Sequence, residues 1–383
     1  MISRLVSLTT ACAIGALVLA SPALADVKVG VVYSLSGPAA SQGIALKNAV
    51  ELAIPAEIGG EKVNVIVLDD ASDPSVASRN ARKLVEGDNV DIVIGPSTTP
   101  TAIAIAQITS AAKVVLMPTA PVKLGDGRDE WIFNVPPPPA KWMIPTITDM
   151  KKKGVKTVGF LGFSDAWGDI NLSTLQAFAK DAGFEVVADE RYARADTSVT
   201  GQVLRLVSKN PDAIFLGVSG SAGVLGNVAI VERGYKGPIY NSNGVFNKDF
   251  LSLGGAAIEG VHANIGAIAV AESLPDSEPR KAVALDFIAK YNAKYGEGVV
   301  DAVSGFGYDS GLLATQAIER ALASAKPGTA EFRSAIATEL RKLNQVPGVH
   351  SIYTFADPKW PWGVGDDAAF LVTVKDGKWI LAN

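Results

Sequence analysis

Cysteine is almost absent. The 383 residues hold one, Cys12, inside an apolar N-terminal run. The chain beyond residue 25 therefore has no thiol nucleophile, no disulfide and no thiolate metal site. Histidine is nearly as scarce. His262 and His350 are the two present, and neither sits in an H-E-x-x-H spacing. No G-x-G-x-x-G or Walker phosphate loop occurs, and Gly217-Val218-Ser219-Gly220-Ser221 misses a nucleophile elbow at its last position. These gaps predict a protein that is not an enzyme and needs no cofactor. Long apolar runs are also missing after the N-terminus. Residues 63–68 and 155–163 are too short for the ~20 apolar residues of a spanning helix and read as strands. There is no basic block, and the net charge is -4, which argues against nucleic acid and anionic membrane surfaces as partners.

What is present is apolar material: 48% of residues are hydrophobic against 19% charged, enough for a large core. At roughly 100–200 residues per domain, the length suggests two domains. Arg4, the apolar stretch 5–20 and the Ala23/Ala25 pair make a secretory signal peptide, with cleavage expected after Ala25.

From residue 27 the pattern alternates. Apolar runs at 27–32, 63–68, 90–94 and 114–117 are separated by helical periodicity at 41–53, 75–86 and 101–112. Such alternation predicts βαβ units and a parallel sheet. Pro136, Pro137, Pro138 and Pro139 interrupt it, because they can continue neither a helix nor an inner strand. The pattern restarts at 157–163 and runs to about residue 240, a second domain of similar construction. Three helical stretches follow, at 278–295, 308–324 and 329–340, and these are expected to return to the first domain. Residues 370–374 and 379–381, around the turn 375–378, read as a β-hairpin.

The motifs at the strand ends carry a resemblance. They are Tyr33-Ser34-Leu35-Ser36-Gly37-Pro38, Asp69-Asp70-Ala71-Ser72-Asp73-Pro74, Gly95-Pro96 with Ser97-Thr98-Thr99, and Met117-Pro118-Thr119-Ala120. In this order they resemble the periplasmic Leu/Ile/Val-binding protein family, the solute receptors of branched-chain-type ABC importers, over residues 26–383. The resemblance implies a type I periplasmic binding fold of class α/β. Its two lobes, each a mostly parallel sheet flanked by helices, are joined by three crossings around a ligand cleft. Residues 26–138 and 266–348 would form the first lobe, and 139–265 and 349–383 the second. The prolines fit the first crossing, 261–268 the second and 348–355 the third. The implied partners are a small-molecule carboxylate and the permease subunits of an importer. The protein is expected in the periplasm as a monomer, neither embedded in a membrane nor bound to nucleic acid. The alternative is a periplasmic sensing subunit that reports its ligand to a signalling partner.

Ser97, Thr98 and Thr99 lie between a strand and a helix, where free N–H groups and the helix dipole attract carboxylates; plain helix capping is the competing role. By resemblance, Thr99 falls where the family holds the ligand carboxylate with a serine, and Thr119 and Ala120 complete that grip. Trp167 falls where an aromatic ring covers the ligand. Ser219 and Asn243 follow later strands of the second domain. In amino-acid-binding relatives the position of Asn243 is a glutamate that pairs with the ligand ammonium, and here it is neutral. Either another acid serves, Asp165 being the nearest, or the ligand lacks the amine; the sequence leaves both open. Ser36 and Gln42 are expected on the cleft side of the first loop. Trp360 and Trp362 read as packing or rim.

Overall fold

The computed structural model describes residues 26–125, 127–296, 300–357, 362–365 and 368–382. The predicted leader with Cys12, and Trp360, lie outside them. The first sheet holds β1 (Val27–Tyr33), β2 (Glu57–Ile58), β3 (Glu61–Asp69), β4 (Ile92–Ile94) and β5 (Val115–Met117), in the order β2-β3-β1-β4-β5. Apart from Lys28 near its start, the run VKVGVVY is apolar on both faces of the strand, as suits a central strand covered by helices on both sides. The second sheet holds β6 (Thr157–Phe163), β7 (Glu185–Tyr192), β8 (Ala213–Gly217), β9 (Ile239–Asn241) and β10 (His262–Ile265) in parallel. A two-strand ladder of β11 (Val346–Pro347) and β12 (Ile352–Tyr353) stands apart. The hairpin β13 (Phe370–Lys375) and β14 (Lys378–Leu381) extends the second sheet antiparallel to β10, as the tail pattern suggested. The order is β14-β13-β10-β9-β8-β6-β7. The strand order reverses between β1 and β4 in one sheet and between β6 and β8 in the other. Open α/β sheets bind ligands beyond the carboxyl ends at such switch points.

Helices α1 (Ala40–Ala53), α2 (Pro74–Arg82) and α3 (Thr99–Ala111) flank the first sheet. Asp73 starts α2 by accepting the Ser75 and Val76 N–H groups at 2.7 and 2.9 Å, with Pro74 in the first turn. Helix α4 (Pro139–Lys152), absent from the sequence reading, begins on the last of the four prolines, a residue tolerated where no intrahelical N–H bond is needed. Helices α5 (Ala166–Ala182), α6 (Thr200–Ser208), α7 (Val224–Glu232) and α8 (Lys248–Gly254) belong to the second sheet, and α9 (Pro279–Tyr295), α10 (Ser304–Ala321) and α11 (Ala330–Arg341) follow. The last two return to the first core: Phe306, Leu313, Phe332 and Ile336 pack with Val29, Val31 and Tyr33.

One expectation needs correcting. The sequence pattern places residues 349–383 in the second lobe, with the third crossing at 348–355. Tyr353, Val364 and Ala368 instead lie in the first core, and Phe355 meets Phe133 edge-on at 5.4 Å. Pairing of β12 with β11 folds the chain back onto that core, so it passes to the second sheet only between Ala368 and Phe370.

Helix α10 can lie on α1 because Gly307 has no side chain; a Cβ there would overlap the Leu46 carbonyl oxygen. Gly307→Ala should therefore cost about 1–3 kcal/mol through backbone displacement. Denaturant unfolding measures it, and an unchanged midpoint would mean that the helix pair yields without strain.

Candidate functional site

The carboxyl ends of both sheets face one cavity. It holds about 380 Å³ of empty space, counted out to its mouth. Gln42, Ser97, Thr98, Thr99, Thr119 and Ala120 line it from the first sheet, and Trp167, Ser219 and Asn243 from the second. The walls come close: a Cβ on Gly220 would lie 3.9 Å from Gln42 Oε1.

On the first wall the N-terminus of α3 is open. Thr98 occupies the capping position, but its side chain makes no capping bond; its hydroxyl pairs with that of Thr101 at 2.9 Å. The plain capping role therefore fails here, and the first N–H groups are left without a side-chain partner. The Thr99 hydroxyl is buried and has no partner among the described residues. Ser97 Oγ accepts the Ser34 N–H at 3.1 Å, and Gln42 Nε2 donates to the Ser97 carbonyl at 3.3 Å. That leaves Gln42 Oε1 buried and without a partner among the described residues. Thr119 Oγ1 donates to the Pro96 carbonyl at 2.8 Å, so Thr119 braces the loop as well as lining the cavity. Unpaired buried polar atoms are costly, and a ligand's polar groups can relieve that cost.

On the second wall, the Asp165 carboxylate caps α5 by accepting the Trp167 and Gly168 N–H groups at 2.9 and 3.2 Å. Trp167 Nε1 donates to the Val218 carbonyl at 3.0 Å, which fixes the ring. Asp165 also pairs with Arg194, whose Nε lies 2.6 Å from Oδ2. It therefore stands behind the wall with both oxygens engaged, and does not line the cavity. Arg194 itself does line it. Its Nη1 donates to Ser219 Oγ at 2.7 Å, and the guanidinium sits 4.2 Å from the centre of the Phe163 ring. Of the described residues lining the cavity, Arg194 is the one that carries a charge.

Ser36 is exposed and donates to Asp69 Oδ2 at 2.6 Å, outside the cavity. Trp362 is half-buried and also away from it. The sequence reading missed Arg194, whose only signal was its place just after a strand of the second sheet. It also missed Val303 and Phe306, which add apolar wall from the start of α10. No group of three or more His, Cys, Asp or Glu among the described residues could hold a metal. No described helix is long and apolar enough to cross a membrane.

A family model described as periplasmic binding protein matches residues 26–378. The Leu/Ile/Val-binding protein BraC3 of Rhizobium johnstonii is 25% identical over 366 residues, covering 91% of this chain and 92% of its own. An extracellular ligand-binding receptor from Rhodopseudomonas palustris HaA2 is 38% identical with a TM-score of 0.88, over 94% of this chain and 100% of its own. A solute-binding protein of an R. palustris ABC transporter, solved with benzoate, shares the fold at 18% identity and a TM-score of 0.74, over 93% and 95% of the two chains.

Proposed function

Because the chain belongs to the periplasmic binding protein family, whose members bind solutes, we propose that it captures a small organic carboxylate without an amine and delivers it to the permease of an ABC importer. The observation that carries the ligand class is that Arg194 and a neutral Asn243 both line a cavity whose described lining includes no acid. A ligand ammonium would meet a guanidinium and find no carboxylate, and an uncompensated buried charge is costly. A carboxylate finds the open end of α3, the Thr99 hydroxyl and Arg194. Pro121, Pro136, Trp167, Val303 and Phe306 then suit an apolar or aromatic remainder. In the same reading, residues 26–138 with 266–368 move as one body against 139–265 with 370–382. Closure of the hinge engages both walls, and the permease reads the closed form. The periplasm is the expected compartment, reached through the leader at 1–25.

The test is thermal unfolding of residues 26–383 against benzoate, 4-hydroxybenzoate, hexanoate, leucine and phenylalanine. A ligand at 100 times its dissociation constant adds about 2.7 kcal/mol, which raises the midpoint by a few degrees. Stabilisation by the amine-free acids alone is expected. Stabilisation by leucine or phenylalanine instead would overturn the ligand class and leave solute capture standing.

A further inference from the structure

Behind the apolar wall of the cleft lies a buried imidazole. Phe306 stacks on His350 with ring centres 3.9 Å apart and planes 16° from parallel. Trp142, one turn past the prolines, meets the same ring edge-on at 6.4 Å. His350 is fully buried, and its Nε2 lies 2.7 Å from the Ala302 carbonyl. A carbonyl oxygen can only accept, so Nε2 carries the proton. Nδ1 is then a bare acceptor, buried without a partner among the described residues. It faces Gly266, where the chain leaves the second sheet, and any Cβ at Gly266 would overlap it. Burial pulls the His350 pKa down to about 3, so the ring does not satisfy Nδ1 by taking up a proton. Such an acceptor is costly only while water is kept out.

The fixed and moving parts can be separated. Ala302 leads into α10, which also carries Phe306 and Asp309, and Asp309 accepts the His350 N–H at 3.0 Å. Ring, ring acceptor and backbone thus belong to one body, and Gly266 is the boundary residue of that body, where the chain crosses from the second sheet. We propose that His350 is a positioning residue that opposes closure: its unpaired Nδ1 destabilises the closed form, and opening at Gly266 admits water to it, so the empty protein rests open until ligand contacts outweigh that cost. The proposal rests on the hinge closure described above.

Residues 26–383 contain no cysteine. Arg79→Cys and Lys180→Cys, at exposed positions on α2 and α5, therefore take a single pair of spin labels whose separation reports closure. His350→Phe keeps the stacking and removes Nδ1, while His350→Gln keeps an acceptor. In the ligand-free state the closed-to-open ratio should rise roughly tenfold in His350→Phe and stay near wild type in His350→Gln. An unchanged distribution in His350→Phe overturns the proposal. A single separation in wild type that no panel acid alters, despite thermal stabilisation by one of them, refutes hinge closure itself. Should His350→Phe fail to fold, ¹⁵N-imidazole spectra of the wild type decide, since the chain has two histidines. A ligand-free His350 Nδ1 resonance typical of a hydrogen-bonded acceptor supports the proposal, and one typical of an unbonded acceptor overturns it.

Discussion

Replacing Arg194 with alanine should raise the dissociation constant for an amine-free acid by about 30-fold, since the half-buried pair with Asp165 falls at the low end of the 2–5 kcal/mol lost on truncating a buried hydrogen-bonded charge pair. Two effects add. The ligand carboxylate loses a charge-assisted partner on the second wall. Asp165, whose Oδ2 accepts from Arg194 Nε at 2.6 Å, is left with a net negative charge close to the cavity. That charge repels a carboxylate and attracts an ammonium, so leucine should gain relative to benzoate in the same variant. Arg194→Lys keeps the charge but loses the fork that reaches both Asp165 and Ser219, and should fall between alanine and wild type. Isothermal titration with benzoate and leucine reads both changes. Equal weakening of the two ligands would mean that Arg194 only shapes the wall.

Asp309→Ala should cost about 3–5 kcal/mol of stability, because it strands three buried donors at about 1–3 kcal/mol each. The Asp309 carboxyl is fully buried on α10. It accepts the Val349 N–H at 2.5 Å, the His350 N–H at 3.0 Å and the Tyr353 hydroxyl at 2.8 Å. Alanine leaves all three donors stranded and opens a small cavity beside residues 349–353. A pH signature accompanies the loss. Burial, the largest influence, pushes the Asp309 carboxyl up to about 7, against the pull of the three donors. Between the unfolded value of about 3.9 and 7, the folded protein keeps a proton that the unfolded chain has released. The contribution of Asp309 is therefore fully present below about pH 4 and is lost as the pH rises through 7. Denaturant titrations at pH 5 and pH 8 should show that difference shrinking in Asp309→Ala. A variant that unfolds at the wild-type midpoint at both values would show that the cluster does not hold residues 349–353.

The strands and most helices were legible because their apolar runs and helical spacing are local properties of the chain. Helix α4 was hidden because its first residue is a proline and another, Pro145, lies inside it. The lining of the cavity was legible where it is built from strand-end motifs, as at Ser97–Thr99, Thr119 and Trp167. Arg194 could not be read that way. Its role depends on Asp165, 29 positions earlier, and on Ser219, 25 positions later, meeting it across the sheet. Asp165 reads as an available acid because its ion pair with Arg194 is a tertiary fact, although its cap on Trp167 and Gly168 is local. The third crossing was placed early because nothing local shows that Tyr353, Val364 and Ala368 belong with β1.

The return of α10 and α11 to the first sheet also sets an order of events during synthesis. Strand β1 leaves the ribosome at the outset, yet the helix that covers α1 begins only at Ser304. At roughly 5–20 residues per second, the gap between the end of α1 and the start of α10 lasts on the order of 10–50 s. Through that interval the first sheet has no complete cover, and its apolar central strand stays available to whatever binds unfolded chains. The second sheet waits longer still, because its edge hairpin is among the last segments made. Neither half can finish alone, and contacts this distant in sequence make for slow closure. The interleaved chain path therefore acts as a timer that keeps the newborn polypeptide unlocked until nearly all of it exists.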